Sequence, residues 1–273
     1  MEYLKVILYG IIEGITEWLP ISSTGHLILA EKLLALPYSE EFMSMFRVVI
    51  QLGAILAVVV LYFPRLWPFT TDARHKYQRP EVWQLWFKIL VATLPAMVLG
   101  LLLDDWLDAH LYNYITVAAM LILYGVFFIL IENRHRRPTV RRMDQLTYRH
   151  ALIIGCWQVL AMIPGTSRSG ATIVGGLLQG LARPVAAEFT FFLAIPVMAG
   201  ASGLKLVKFL ADGGTFTGGE VAALALGCAV AFVVSVAAIR FLVSFVQKHD
   251  FKVFGWYRIA LGAAVLAAAF LGF

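Results

Sequence analysis

The chain has little charge and few cysteines. Only 14% of its 273 residues are Asp, Glu, Lys or Arg, against 60% that are hydrophobic, and the mean hydropathy is +0.80. Soluble globular proteins carry about 25% charged residues, so that class is excluded and an integral membrane protein is left. The two cysteines, Cys156 and Cys228, both fall in apolar stretches. They exclude a disulfide scaffold and are expected as small buried hydrophobes. A cleavable leader is not expected either: Glu2 precedes Lys5, and Glu13 and Glu17 interrupt the first apolar run where a cleavage site needs small residues, which predicts a mature chain beginning at Met1. The net charge of +5 is concentrated in connecting segments, so it reads as membrane orientation and not as a nucleic-acid surface.

What the chain does have is long apolar runs. A crossing helix needs about 20 mostly apolar residues, and segments 42–63, 84–104, 113–132, 186–210, 219–246 and 254–272 qualify. Segments 3–36 and 151–182 are apolar too, but Pro20 and Pro164 cut each in two, because proline removes a backbone donor and clashes with the preceding turn. Each reads as a helix-break-helix hairpin that enters and leaves by one face, with its break turned to the protein interior. Loop charges agree with this layout. Arg65, Arg74, Lys76 and Arg79, then Arg134, Arg136, Arg137, Arg141, Arg142 and Arg149, then Lys248 and Lys252, mark cytoplasmic loops. Asp104, Asp105 and Asp108, and then Asp212 and Glu220, mark outer ones.

The expected fold is therefore an all-α integral membrane protein of one domain, with six transmembrane helices and two re-entrant hairpins in an inverted repeat. Its halves, 1–132 and 151–273, are joined by an Arg-rich cytoplasmic linker, 133–150, and both termini lie on the outer face. Aligning Leu19–Ser23 with Ile163–Ser167 pairs the two prolines and two hydroxyl residues.

The breaks carry the chemistry. Ionisable residues in apolar segments are functional-site candidates by default. Glu13 and Glu17 are four apart and share a helix face, about 5–6 Å between β-carbons, so at least one must be protonated, paired or shared with a metal. Ser22, Ser23 and Thr24 suit the N-terminus of the following helix, whose free N–H groups attract anions. In the second break, Gly165 permits a sharp turn and Thr166, Ser167 and Ser169 supply hydroxyls. Arg168 supplies a planar fork suited to phosphate oxygens. Together the two read as a phosphate cradle, with the carboxylates as ligands for a bridging divalent ion or as a base for a nucleophile.

The stretch Glu13-x-x-x-Glu17 followed by Leu-Pro-Ile-Ser-Ser-Thr-Gly-His26, with Pro164-Gly-x-Ser-Arg-Ser-x-x-Thr172, resembles the two signature regions of the undecaprenyl-pyrophosphate phosphatase family associated with bacitracin resistance. The resemblance covers both motifs in order, the chain length and the span pattern. It implies a multi-pass enzyme of the bacterial inner membrane that hydrolyses undecaprenyl pyrophosphate to the monophosphate carrier lipid, dependent on a divalent cation such as Mg²⁺ or Ca²⁺. It also implies a site opening to the outer face. Glu13, Glu17, Ser23, His26 and Arg168 are then the catalytic set, and Glu13 and Glu17 the metal ligands. Ser22, Thr24, Gly165, Thr166, Ser167, Ser169 and Thr172 are the substrate contacts. The partners are the polyprenyl pyrophosphate lipid and the bilayer, with a homodimer left open and nucleic acid excluded.

Plainer roles compete at several positions. Arg168 can serve carbonyls freed by the broken backbone, the serines can be caps alone, His26 can be hydrogen-bonded only, and Thr172 can bond back to its own helix. Gln51, polar inside a span, either bonds between helices or lines the cavity. Trp67, Trp83, Trp86 and Trp106 read as interfacial anchors. A transporter or lipid flippase is the rival function, since inverted repeats also suit alternating access to an anion. A phosphohistidine-type phosphatase fails, because it wants a His and an Asp soon after Ser-Arg and Gly170–Gly180 has neither.

Overall fold

The computed structural model describes residues 2–71, 78–134 and 137–271. Among them it contains eleven α-helices and no strand: α1 Glu2–Thr16, α2 Ser23–Leu33, α3 Glu40–Val49, α4 Gln51–Leu66, α5 Pro80–Leu111, α6 Tyr114–Asn133, α7 Tyr148–Val159, α8 Arg168–Leu178, α9 Arg183–Ala211, α10 Gly218–Lys248 and α11 Lys252–Phe270. Arg74, Lys76 and Arg136 lie outside the described residues.

Among the described residues, six stretches are long and apolar enough to cross a membrane: α3 with α4 as Glu40–Leu66, the first part of α5 as Pro80–Leu103, and α6, α9, α10 and α11. Each expected span falls on one of them. Large apolar side chains such as Leu102, Ile115, Val233 and Trp256 point outward along these helices. In water that surface would drive aggregation, whereas hydrocarbon is its natural surround. The chain is a multi-pass membrane protein.

With apolar solvent outside, helix association depends on close packing, which favours small residues at contacts. Gly53 of α4 lies against α10 so tightly that an added Cβ would sit 2.1 Å from the Cys228 carbonyl oxygen. Cys228 is half-buried there, while Cys156 is exposed, against the expectation that both pack inside. Its surroundings are apolar but lie on the outer surface of α7.

Both segments expected to break do so. α1 ends at Thr16 and α2 begins at Ser23; α7 ends at Val159, a 3-10 turn covers Leu160–Met162, and α8 begins at Arg168. The starts of α2 and α8 are alike. Ser22 (φ 72°) and Ser167 (φ 71°) are the only described non-glycine residues with positive φ. Each is an N-cap whose hydroxyl accepts the amide three residues on, from Gly25 at 3.3 Å and Gly170 at 3.2 Å. The matching backbones thus pair Ser22 with Ser167. This is one residue off the register that aligning the two prolines suggests, because φ and cap geometry set the correspondence and the proline position does not. The linker is clipped to the α8–α9 turn, with the Thr139 and Val140 amides donating to the Gly180 carbonyl and the Ala182 amide to that of Val140.

Replacing Gly53 by Ala must separate α4 from α10. A loss of about 1–3 kcal/mol is expected, read as a lower melting temperature in detergent. Gly203→Ala, where an added Cβ meets nothing within 4 Å, is expected to match or exceed the parent.

Candidate active site

The two breaks meet. Arg168, the first residue of α8, reaches Glu17 at the end of α1: Nε and Nη2 donate to Glu17 Oε1 at 3.2 and 2.9 Å. Its remaining nitrogen, Nη1, donates to the Thr190 carbonyl of α9 at 2.9 Å, and the guanidinium lies 5.8 Å from the centre of the buried Trp18 ring. Both partners of the ion pair are nearly buried, at 11% and 8% side-chain exposure. A charge pair so placed is retained only when well bonded. The other carboxylate oxygen, Glu17 Oε2, accepts from the Ser23 hydroxyl at 3.4 Å. The chain of contacts Ser23–Glu17–Arg168 has the form of a nucleophile, a base and the group that orients the base.

The remaining hydroxyls divide into two sets. Ser169 is buried and holds the breaks together, its Oγ donating across to the carbonyls of Glu17 and Leu19 at 3.0 and 3.2 Å. Ser167 Oγ lies 3.1 Å from Ser169 Oγ. Thr172 bonds back to the Arg168 carbonyl at 2.9 Å and meets Thr190 Oγ1 at 2.8 Å, its plainer role. Thr166 is buried with an unbonded hydroxyl. By contrast Ser23, Thr24, Gly165, Ser167, Glu17 and Arg168 line a cavity of about 950 Å³.

That cavity runs from the breaks, past Thr93 and Ala96 of α5, to Leu101 and Tyr112 on one side and Gly200, Leu204 and Lys205 of α9 on the other. It therefore opens at the end of the molecule where the α5–α6 turn lies, away from the Arg-rich linker. Gln51 is among the lining residues, as are Met97, Met198 and Val197, so polar floor and apolar wall share one space.

Glu13 is fully buried beside Gln51 and Glu17. Neither of its oxygens has a well-formed hydrogen bond. His26 stands apart from the lining. Its Nδ1 is 2.7 Å from the Ser22 carbonyl, which only accepts, so Nδ1 carries the proton. Nε2 then accepts from the Tyr257 hydroxyl at 2.7 Å, and the two rings stack at 5.6 Å. The structure brings Glu17, Ser23 and Arg168 together, keeps Glu13 adjacent, and engages His26 elsewhere.

Sequence reasoning missed Arg258 of α11. It is fully buried, and its nitrogens donate to the carbonyls of Pro20 at 3.2 Å, Gly165 and Thr166 at 2.9 Å, Met120 at 3.3 Å and Leu121 at 3.4 Å. It gathers the freed carbonyls of both breaks, a role weighed above for Arg168. The signal was present: an arginine inside segment 254–272 satisfies the same rule that singled out Glu13, Glu17 and Arg168. Gly165 fits into this junction because its φ is +91° and a Cβ would lie 2.4 Å from the Val117 carbonyl oxygen.

Fold and site together define a polytopic membrane protein with a hydroxyl–carboxylate–guanidinium centre at the floor of a half-apolar cavity. The chain belongs to the family of the bacitracin resistance protein BacA, whose family model matches residues 6–264. It is 58% identical over 264 residues to an undecaprenyl-diphosphatase of Enterococcus faecalis, covering 96% of this chain and 95% of the relative. It is 59% identical over 269 residues to one of Desulfitobacterium hafniense (97% and 95% covered), and 54% identical over 269 residues to one of Limosilactobacillus fermentum (98% and 97%).

Arg258→Met strips the carbonyls of Pro20, Gly165 and Thr166 of their donor, and each buried carbonyl so orphaned costs about 1–3 kcal/mol. The variant is expected to melt well below the parent in detergent or fail to accumulate in membranes.

Proposed function

We propose that this protein hydrolyses undecaprenyl pyrophosphate to undecaprenyl phosphate and inorganic phosphate, recycling the lipid carrier of bacterial cell-wall synthesis. The observation that carries this is the contact chain Ser23–Glu17–Arg168 at the floor of a cavity with apolar walls. Relatives more than half identical over nearly the full chain bear the name of that activity. A flippase has no need of a hydroxyl held against a carboxylate, so the rival function is not favoured.

Ser23 Oγ attacks the terminal phosphorus while Glu17 Oε2 takes its proton. The bond from that phosphorus to the bridging oxygen breaks, and undecaprenyl phosphate leaves. Water then hydrolyses the phosphoserine and inorganic phosphate departs. Arg168 holds Glu17 in orientation and lies where charge spreads over the phosphate oxygens, with the free amides at the starts of α2 and α8 adding donors. His26, bonded to the Ser22 carbonyl and to Tyr257, ties the α2 start to α11.

A divalent ion fits this donor set. Glu13 presents two buried carboxylate oxygens without a well-formed hydrogen bond, and Glu17 and Gln51 lie beside it. Among the described residues no group of three or more His, Cys, Asp or Glu side chains is placed to hold a metal ion, and Glu13 and Glu17 would be the protein ligands. Such an ion, when bound, neutralises phosphate charge.

The helix pairing supports an inverted repeat of residues 1–132 and 151–273. α1 packs on α10 while α7 packs on α5, and α6 pairs with α11. In that arrangement the hairpins α1–α2 and α7–α8 each return to their own face, and the termini lie outside. Because the cavity opens away from the basic linker, the positive-inside rule turns it to the outer face of the cell membrane. The exposed apolar belt suits lipid and a second copy equally, so it does not favour the homodimer.

Glu17→Gln and Arg168→Ala are each expected to abolish phosphate release from undecaprenyl pyrophosphate; because each breaks a nearly buried ion pair, a stability loss of up to about 3–5 kcal/mol accompanies it, so release is measured per folded protein, with the melting temperature read alongside. Ser23→Ala is expected to lower turnover by about 10²–10⁴-fold. Near-parental turnover of that variant in detergent would leave an activated water as the nucleophile.

A further inference from the structure

The capping serines Ser22 and Ser167 give a structural register for the two breaks. Counting nine residues back from each lands on Glu13 in α1 and Gln158 in α7. Three residues further back are Gly10 and Gly155, and both are close-approach glycines: a Cβ on Gly10 would meet the Gly227 carbonyl of α10 at 2.9 Å, and one on Gly155 the Ala92 carbonyl of α5 at 2.3 Å. Gln158 therefore occupies in the second break the place that Glu13 occupies in the first. The two share a further property. Gln158 is 2% exposed, and neither its amide nitrogen nor its amide oxygen has a hydrogen-bond partner.

A buried amide without partners lowers stability, and such groups need a reason. Gln158 lines the same cavity as Ser23, Glu17, Ser167 and Arg168. Glutamine offers two N–H donors and an acceptor without charge. A carboxylate there, as in the first break, would face an anionic headgroup held by Arg168 and repel it; a neutral amide donates to it instead.

We propose that Gln158 is a substrate-binding residue, donating its side-chain N–H groups to phosphate oxygens of the polyprenyl diphosphate gripped by Arg168. This rests on the function proposed above. The acid of the first break and the amide of the second thus divide the work at matching positions, one facing cation and the other facing anion.

Gln158→Met and Gln158→Glu separate this role from packing. Methionine keeps the volume and removes two unpartnered polar groups, so a purely structural role predicts equal or better stability with unchanged kinetics. A binding role predicts equal or better stability together with a KM for undecaprenyl pyrophosphate raised about tenfold, and kcat within about threefold. Gln158→Glu is expected to lower kcat/KM by at least about a hundredfold. The readouts are phosphate release and thermal melting of the purified full chain in detergent. A Met variant with the parental KM, or one whose KM rises only as its melting temperature falls, overturns the assignment. A parent chain that releases no phosphate overturns the function itself and the assignment with it.

Discussion

A helix broken at membrane depth releases backbone groups that neither water nor its own next turn satisfies. This chain breaks twice and brings both breaks to one place, so the requirement is concentrated. Arg258 meets most of it, donating to carbonyls of both breaks and of α6. Ser169 meets more, reaching from the second break to two carbonyls of the first. Since these two residues consume the freed acceptors, Arg168 gives only one nitrogen to backbone and keeps the other two for Glu17. The contact chain Ser23–Glu17–Arg168 exists because other side chains take up the structural load.

The same division explains the burial pattern. Ser169 and Thr172 sit behind the cavity wall, whereas Ser23, Thr24 and Ser167 are on it. A hydroxyl that fastens two segments must be enclosed by them. One that meets a substrate must face open space. The apolar side of the cavity, with Met97, Leu101, Met198 and Leu204, makes no directional demands, so one space combines a polar floor with an apolar wall.

Much of this was legible in the sequence. Run length and loop charge gave the six spans, and two prolines in apolar stretches gave the breaks. The rarity of charge in such stretches singled out Glu17 and Arg168, and a hydroxyl at the start of the following helix added Ser23. Pattern rules say that a buried polar group must have a partner but not which one, and there the reading fell short. Arg258 was passed over although its position broke the same rule. His26 entered the set with its motif, and its bond to Tyr257, on a helix far along the chain, is a contact that no local pattern supplies. The register of the two breaks slipped by one residue because proline suggested a match that φ does not honour. Cys156 faces outward because an apolar helix in a membrane has no single inner face to predict.

The strain at Ser22 and Ser167 ties backbone to chemistry. A non-glycine residue at positive φ costs about 1–3 kcal/mol, and glycine would avoid it. Glycine, however, has no hydroxyl to accept the amide of Gly25 or Gly170, and each capping serine is followed directly by the first residue of a helix. In one break that first residue is Ser23; in the other it is Arg168. The two residues aimed by equivalent strained caps are the ones that converge on opposite oxygens of the Glu17 carboxylate. A single backbone device, used twice, thus sets a hydroxyl and a guanidinium on either side of one carboxylate, and at these caps the difference between the breaks lies in the side chains they present.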